Sequence, residues 1–135
     1  MTTSDAALCV NLAEAVQFSA EARVNREIMT TDDLIIRMNC YEPGQVTPMH
    51  MHPGRDEVFY VLEGHGTFGL KDRDDLPFKA GELHRLPGSQ FHQIVAGPGE
   101  RTVVLYMLKR DYTSVRPDDA DEAATAVRLP SEERQ

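Results

Sequence analysis

The chain has 135 residues and a formal net charge of -8, a length that suits one domain around one buried core. No apolar run approaches the roughly 18 residues of a membrane span. A negative chain without a basic stripe argues against nucleic acid or an anionic membrane surface as partner. The N-terminal MTTSDAALCV carries Asp5 and no basic residue, unlike a secretory signal, so the expectation is a cytoplasmic protein. Cys9 and Cys40 have no metal or redox spacing and sit beside apolar residues, as buried free thiols do.

In chain order, residues 10–18 (VNLAEAVQF) read as a short strand followed by one helical turn. Residues 22–29 alternate weakly, 30–33 (TTDD) are turn-like, and 34–41 (LIIRMNCY) read as a strand; together they predict a hairpin. Pro43 and Gly44 end it, since proline cannot donate a ladder bond and glycine permits the turn. Further strands are predicted over 46–52, 57–62, 67–70, 76–78, 83–86, 91–96 and 101–109. Between them lie the turn 64–66, the charged loop 71–75 (KDRDD) and the strong hairpin signal 97–100 (GPGE). Short strands at regular spacing, broken by Gly and Pro, indicate a closed or sandwiched antiparallel β fold. Beyond Pro117 the residues Asp118, Asp119, Asp121, Glu122, Glu132 and Glu133 outweigh Arg128 and Arg134, which places half of the net charge there. The division expected is an N-terminal arm over 1–20, a barrel over 21–116 and an acidic tail over 117–135, helical (119–127) or disordered.

The chemistry concentrates in GQVTPMHMHPGRDEVFYVLEG, residues 44–64. Alternate residues of a strand share a face, so His50 and His52 project side by side. Pro53 and Gly54 then turn the chain, and Glu57 opens the next apolar run. Two imidazoles and one carboxylate form a competent set of donors for a divalent transition metal. A second block, residues 81–92 (GELHRLPGSQFH), adds His92 after another turn signal.

These two blocks resemble the motifs of the cupin family. Gly44, His50, His52, Glu57 and Gly64 fit the first motif, G-x5-H-x-H-x4-E-x6-G, at every fixed position. Gly81, Pro87 and His92 fit the second, with Ser89 in place of its usual glycine and Ala96 in place of its frequent asparagine. Neither departing position is a metal ligand in the family. The resemblance implies an all-β single jelly-roll barrel of two antiparallel sheets. It implies His50, His52, Glu57 and His92 as ligands of one divalent transition metal, a small-molecule substrate and a homodimer. The residues of 10–18 and the methionines Met49 and Met51 are candidate contacts of that dimer.

Four protein ligands on an octahedral ion leave two positions open, whereas a structural zinc site is closed and tetrahedral. Fe, Mn, Ni, Zn and Cu all suit the donor set. The function expected is a metal-dependent enzyme on a small organic molecule, foremost an oxidoreductase of dioxygenase type. Lyase, isomerase and polyketide-cyclase chemistry are the alternatives, with a non-catalytic binding or sensing module beside them, because fold alone does not choose. Further candidate catalytic residues are Arg37, as a carboxylate fork if its parity faces the barrel interior, with Tyr60, Tyr106 and His84.

Overall fold

The structure, a computed structural model, describes residues 8–117 and 127–129. Its strands are β1 (Val24–Thr30), β2 (Leu34–Tyr41), β3 (Val46–His50), β4 (Glu57–Glu63), β5 (His65–Leu70), β6 (Leu76–Lys79), β7 (Leu83–Leu86), β8 (His92–Ala96), β9 (Thr102–Lys109) and β10 (Val127–Leu129). One four-residue helix, α1 (Leu12–Ala15), precedes them. Asn11 caps α1 by accepting the Glu14 N–H on its side chain at 3.2 Å. The strands form two sheets, of order β10-β1-β2-β9-β4-β7 and β3-β8-β5-β6. Among the described residues, no helix is long and apolar enough to cross a membrane.

The larger sheet is apolar on both faces, which is why β2 and β9 read as near-continuous hydrophobic runs. Inward parity puts Tyr41, Phe59, Val61 and Val104 against Phe68, Phe78, Ile94 and Ala96 of the facing sheet, and these close one core between the layers. Outward parity puts Val24, Ile28, Met38, Cys40 and Val103 on the opposite face, in a second core. Val10, Leu12, Val16 and Phe18 of the N-terminal arm pack over that second core. Their apolar surface is thereby partly covered within the chain. Partial burial of these side chains contributes less than the roughly 1.5–3 kcal/mol of a fully buried one, and it favours the packed arm.

Most predicted elements stand as expected, with small shifts in their limits. The hairpin of β1 and β2 pairs antiparallel, with Asn25 opposite Asn39 and Glu27 opposite Arg37. Residues 10–18 form the short helix and an extended chain, with no strand. β5 begins at His65, inside the expected turn, and β3 ends at His50, before the second histidine of the motif. The tail holds a difference in kind: Val127–Leu129 is a strand, parallel to β1, with Val24 opposite Val127. The two sheets are otherwise antiparallel. The rest of the expected helix over 119–127 lies outside the described residues.

One motif glycine has a specific physical cause. Gly64 takes φ +84 between β4 and β5, and a Cβ there would collide with the Thr102 side chain and the Arg101 carbonyl. The buried Thr102 hydroxyl accepts the His65 N–H at 3.2 Å and donates to the His65 carbonyl at 3.0 Å. The turn is thereby clamped to the start of β9. Gly81 takes φ +92 with nothing within 4 Å of the Cβ position. Gly81→Ala should cost only the left-handed strain, about 1–2 kcal/mol. Gly64→Ala should cost clearly more, about 3 kcal/mol or above, because clash adds to strain. Denaturant unfolding of both variants checks this; equal losses would remove the role given to Thr102.

Candidate metal centre

The site is built where the two sheets part at one end of the barrel. β3 is an edge strand, and Pro48 sits in it because an edge strand tolerates a missing N–H. The register shifts between Thr47 and His50, and His50 then pairs directly with His92 of β8. Their ring centroids are 4.5 Å apart. Beyond β3, Met51 bridges Val115 of the returning C-terminal segment. That bridge brings the His52 ring within 4.8 Å of the His50 ring. Glu57 enters from the first position of β4, on the inward parity it shares with Phe59 and Val61. His52, Glu57 and His92 are all buried.

Candidate ligand atoms of His50, His52 and Glu57 lie within 4.8 Å of one another, so this cluster could hold a metal ion. The His92 Nε2 is 3.3 Å and the His52 Nε2 3.5 Å from the same carboxylate oxygen, Glu57 Oε1. Each imidazole is oriented by a backbone carbonyl on its other nitrogen. His50 Nδ1 meets Pro48 O at 2.7 Å, His52 Nδ1 meets Thr113 O at 3.0 Å, and His92 Nδ1 meets Gln90 O at 3.1 Å. A carbonyl only accepts, so each Nδ1 carries the hydrogen and each neutral ring turns a bare Nε2 lone pair inward.

Lone pairs of two imidazoles therefore face a carboxylate oxygen. Acceptors pointed at acceptors repel unless a proton or a cation lies between them. Both Glu57 Oε1 and His92 Nε2 are buried without a hydrogen-bond partner, which is costly for polar atoms. Spacings of this order suit nitrogen and oxygen donors each about 2.0–2.2 Å from one ion. The residues fit a divalent metal on their donor chemistry.

The electrostatics agree. Burial, reinforced by His92, pushes the His50 imidazole down to about 4. Glu57 is held down at about 2: burial would raise it, but the neighbouring imidazoles of His52 and His92 outweigh that. For His52 burial lowers the pKa, yet the Glu57 carboxylate leaves it raised overall. The shifts at Glu57 and His50 favour the deprotonated carboxylate and the neutral ring that a metal needs, while the rise at His52 runs the other way.

The cluster opens on a cavity of about 150 Å³, lined also by Arg23, Asn25, Asn39, Tyr106, Tyr112, Ser114 and Arg116. Tyr106 is the one further candidate that reaches it, and burial raises its phenol to about 12. Arg37 has the inward parity but does not line the cavity; it donates to Asn25 Oδ1 at 2.9 Å and stands 3.7 Å from Glu27. Tyr60 lies on the outward parity of β4 and is exposed, so it is no pocket residue. His84 faces inward but packs edge-on against the core ring of Phe68, with Nε2 on Glu82 at 3.0 Å, and does not line the cavity.

Sequence reasoning misses Arg23, Asn25, Tyr112, Ser114 and Arg116. A signal exists for two of them: Arg23, Asn25 and Glu27 alternate with the apolar Val24 and Ile28. The others lie beyond β9, where no periodicity marks them, and only the Met51–Val115 bridge carries them over the site.

The pH dependence of the metal-free protein follows. The folded pKa of His50 lies below its unfolded value, so the unfolded chain takes up that proton first. Its contribution is complete above pH 6.5 and is lost as the pH falls towards 4. Glu57 adds a loss from pH 4.5 towards 2. His52 has the opposite sign, contributing fully below pH 6.5 and losing its effect only as the pH rises through its raised pKa. The thermal midpoint of the metal-free protein should therefore drop by several degrees between pH 6.5 and 4. A scan that stays flat across that window contradicts a buried, neutral His50.

Comparisons with known proteins bear on this geometry. The family model described as "Cupin domain" matches residues 37–109. An oxalate-binding protein of Thermotoga maritima is 35% identical over 52 residues, which are 38% of this chain and 42% of that protein. The chain thus matches about two fifths of that relative's length. An RmlC-like cupin protein from Desulfovibrio desulfuricans superposes with TM-score 0.68 at 26% identity, covering 75% of this chain and 94% of the other. The polyketide cyclase RemF from Streptomyces resistomycificus superposes with TM-score 0.65 at 26% identity, covering 74% and 73%.

Proposed function

The chain belongs to the cupin family, and from that premise we propose that it is a metal-dependent enzyme acting on a small organic molecule in the 150 Å³ cavity. His50, His52, Glu57 and His92 are the proposed ligands of one divalent transition metal. The observation that carries the reading is the unpartnered, buried pair Glu57 Oε1 and His92 Nε2, 3.3 Å apart, with the ring's other nitrogen already committed to a carbonyl. A metal bound there supplies Lewis acidity, polarising a carbonyl or stabilising negative charge that develops on oxygen. Three neutral imidazoles and one carboxylate leave a divalent centre with a formal charge of +1, so attraction for an anionic ligand oxygen is retained.

The chain's own residues do the rest. Phe59 and Ile94 wall the cavity with apolar surface and keep water from the buried ligands. Tyr112 sets its ring edge-on to His52, 5.1 Å between centroids, and Thr113 and Ser114 engage the Nδ1 of the same ring. The segment after β9 thus holds one ligand in place from outside the barrel. Lyase, isomerase and cyclase reactions need only this polarisation and a positioned proton donor, and the likeness to a polyketide cyclase supports that class. An oxidoreductase of dioxygenase type is the second reading, favoured by a donor set that leaves two positions open on an octahedral ion.

The test is elemental analysis of protein purified without added metal, followed by turnover assays with and without dioxygen on the reconstituted forms. About one divalent metal per chain is expected. Full stoichiometry in His52→Ala would remove that residue from the ligand set. Glu57→Gln keeps the shape but loses the charge, and should weaken metal binding by at least tenfold. A Glu57→Gln protein that binds metal normally yet loses all turnover would instead make Glu57 a general base.

A further inference from the structure

On the inward face of the larger sheet, the face that also carries Glu57, lies a group of polar side chains that the metal reading does not use. Register brings them together: Asn25 is opposite Asn39, and Arg37 is opposite Tyr106. Their hydrogen bonds have a forced direction. A guanidinium only donates, so the Asn25 atom that meets Arg37 Nη1 at 2.9 Å is the amide oxygen. The Asn25 Nδ2 must then point the other way. It donates to Asn39 Oδ1 at 2.8 Å and to Tyr106 OH at 2.8 Å.

Two consequences follow for the groups that line the cavity. Tyr106 receives a hydrogen bond on its oxygen, so its own hydrogen is left to donate elsewhere. Asn39 has its oxygen occupied by Asn25, so its amide nitrogen is the end available to a ligand. Arg23, buried in the same wall, adds a positive charge and donates to Val46 O at 3.1 Å. Among the described residues, Glu57 is the single carboxylate of the lining. The wall is therefore rich in donors: Arg23 only donates, and Tyr106 and Asn39 each keep a hydrogen to give.

We propose that the cavity takes a small carboxylate anion, whose oxygens are read by Asn39 and Tyr106. Arg37 is the positioning residue that fixes their donor polarity through Asn25. A carboxylate offers these donors ionised oxygens beside the Arg23 guanidinium, where a neutral amide or alcohol offers only the weaker, uncharged acceptor. The size is bounded too, since a cavity of about 150 Å³ holds a molecule of about benzene size. This inference deepens the proposed function: it rests on the same cavity, and on the metal only for added affinity.

The probes are malonate and its neutral analogue malonamide. They are titrated calorimetrically into the full chain, metal-free and loaded with Co(II), and into the variants Tyr106→Phe, Arg37→Met and Arg37→Lys. Malonate should bind both forms, more tightly when cobalt is present, with malonamide at least tenfold weaker. Tyr106→Phe should weaken malonate by roughly tenfold or more, the usual loss for a hydrogen bond to a charged group, with cobalt stoichiometry unchanged. Arg37→Met frees the Asn25 amide to turn and should cost a similar factor, while Arg37→Lys, which still donates to Asn25 Oδ1, should restore part of it. Equal binding of malonate and malonamide by the unaltered protein overturns the inference without recourse to any variant. Equal affinity of Tyr106→Phe and the unaltered protein for malonate overturns it as well. Failure of cobalt uptake alongside Tyr106-dependent malonate binding sinks the metal reading and leaves the carboxylate site standing.

Discussion

Three backbone carbonyls, those of Pro48, Gln90 and Thr113, decide which nitrogen each imidazole shows to the cavity. Without them the rings would be free to change tautomer and to turn, and the donor set would be only a composition. Each carbonyl is available for a local reason. Pro48 lies in an edge strand beside a register shift, so its carbonyl is not used by a regular ladder. Gln90 closes the turn before β8, donating its N–H to Pro87 O at 3.0 Å. Thr113 lies in the segment that Val115 pins to Met51 through a reciprocal pair of backbone bonds, 2.9 Å each. The candidate metal centre therefore depends on departures from regular strand pairing, placed around a sheet that is otherwise regular.

The larger sheet makes those departures tolerable. It is packed on both faces, by the inter-layer core on one side and by the N-terminal arm on the other. Rigid strands hold first-contact groups more closely than loops do, and here Glu57, His92, Asn25, Asn39 and Tyr106 all project from strands. Only His52 does not, and it is the ring with the most outside support, from Thr113, Ser114 and Tyr112. A ligand that leaves the strand framework is compensated by contacts from beyond it.

The grouping of His50, His52 and Glu57 was legible in the sequence because its spacing is local. His50, His52, Glu57 and the glycines around them lie within 44–64, and glycine at φ +84 has a steric cause that no other residue meets. Strands β1 to β9 and the β1–β2 hairpin were legible for the same reason, as periodicity and turn residues act over a few positions. The donor wall was not. Asn25 and Tyr106 are hydrogen-bonded across 81 positions of sequence, and no single window of sequence holds both. Tyr60 and Tyr106 looked alike as aromatic residues on strands; the parity of β4 against the register of β9 separates them, and that register is a tertiary fact. The parallel strand Val127–Leu129 was hidden for another reason: three residues in an acidic segment carry too short a pattern to signal a strand.

The two ends of the cavity differ in hydrogen-bonding kind, and this narrows what can bridge them. The histidine and glutamate end shows lone pairs; the sheet end shows N–H and O–H groups. With no ion, the donors of the sheet end still meet the oxygens of a small anion, and only its far end faces lone pairs. An ion seated among the lone pairs reverses the first end, which then seeks electron pairs as well. The ligand must now be electron-rich on both sides, and a small anion with oxygens at opposite ends is the simplest such molecule. Under the proposed ligand set, an ion held by Glu57 and the three imidazoles would add to a preference for anions that the sheet end already sets.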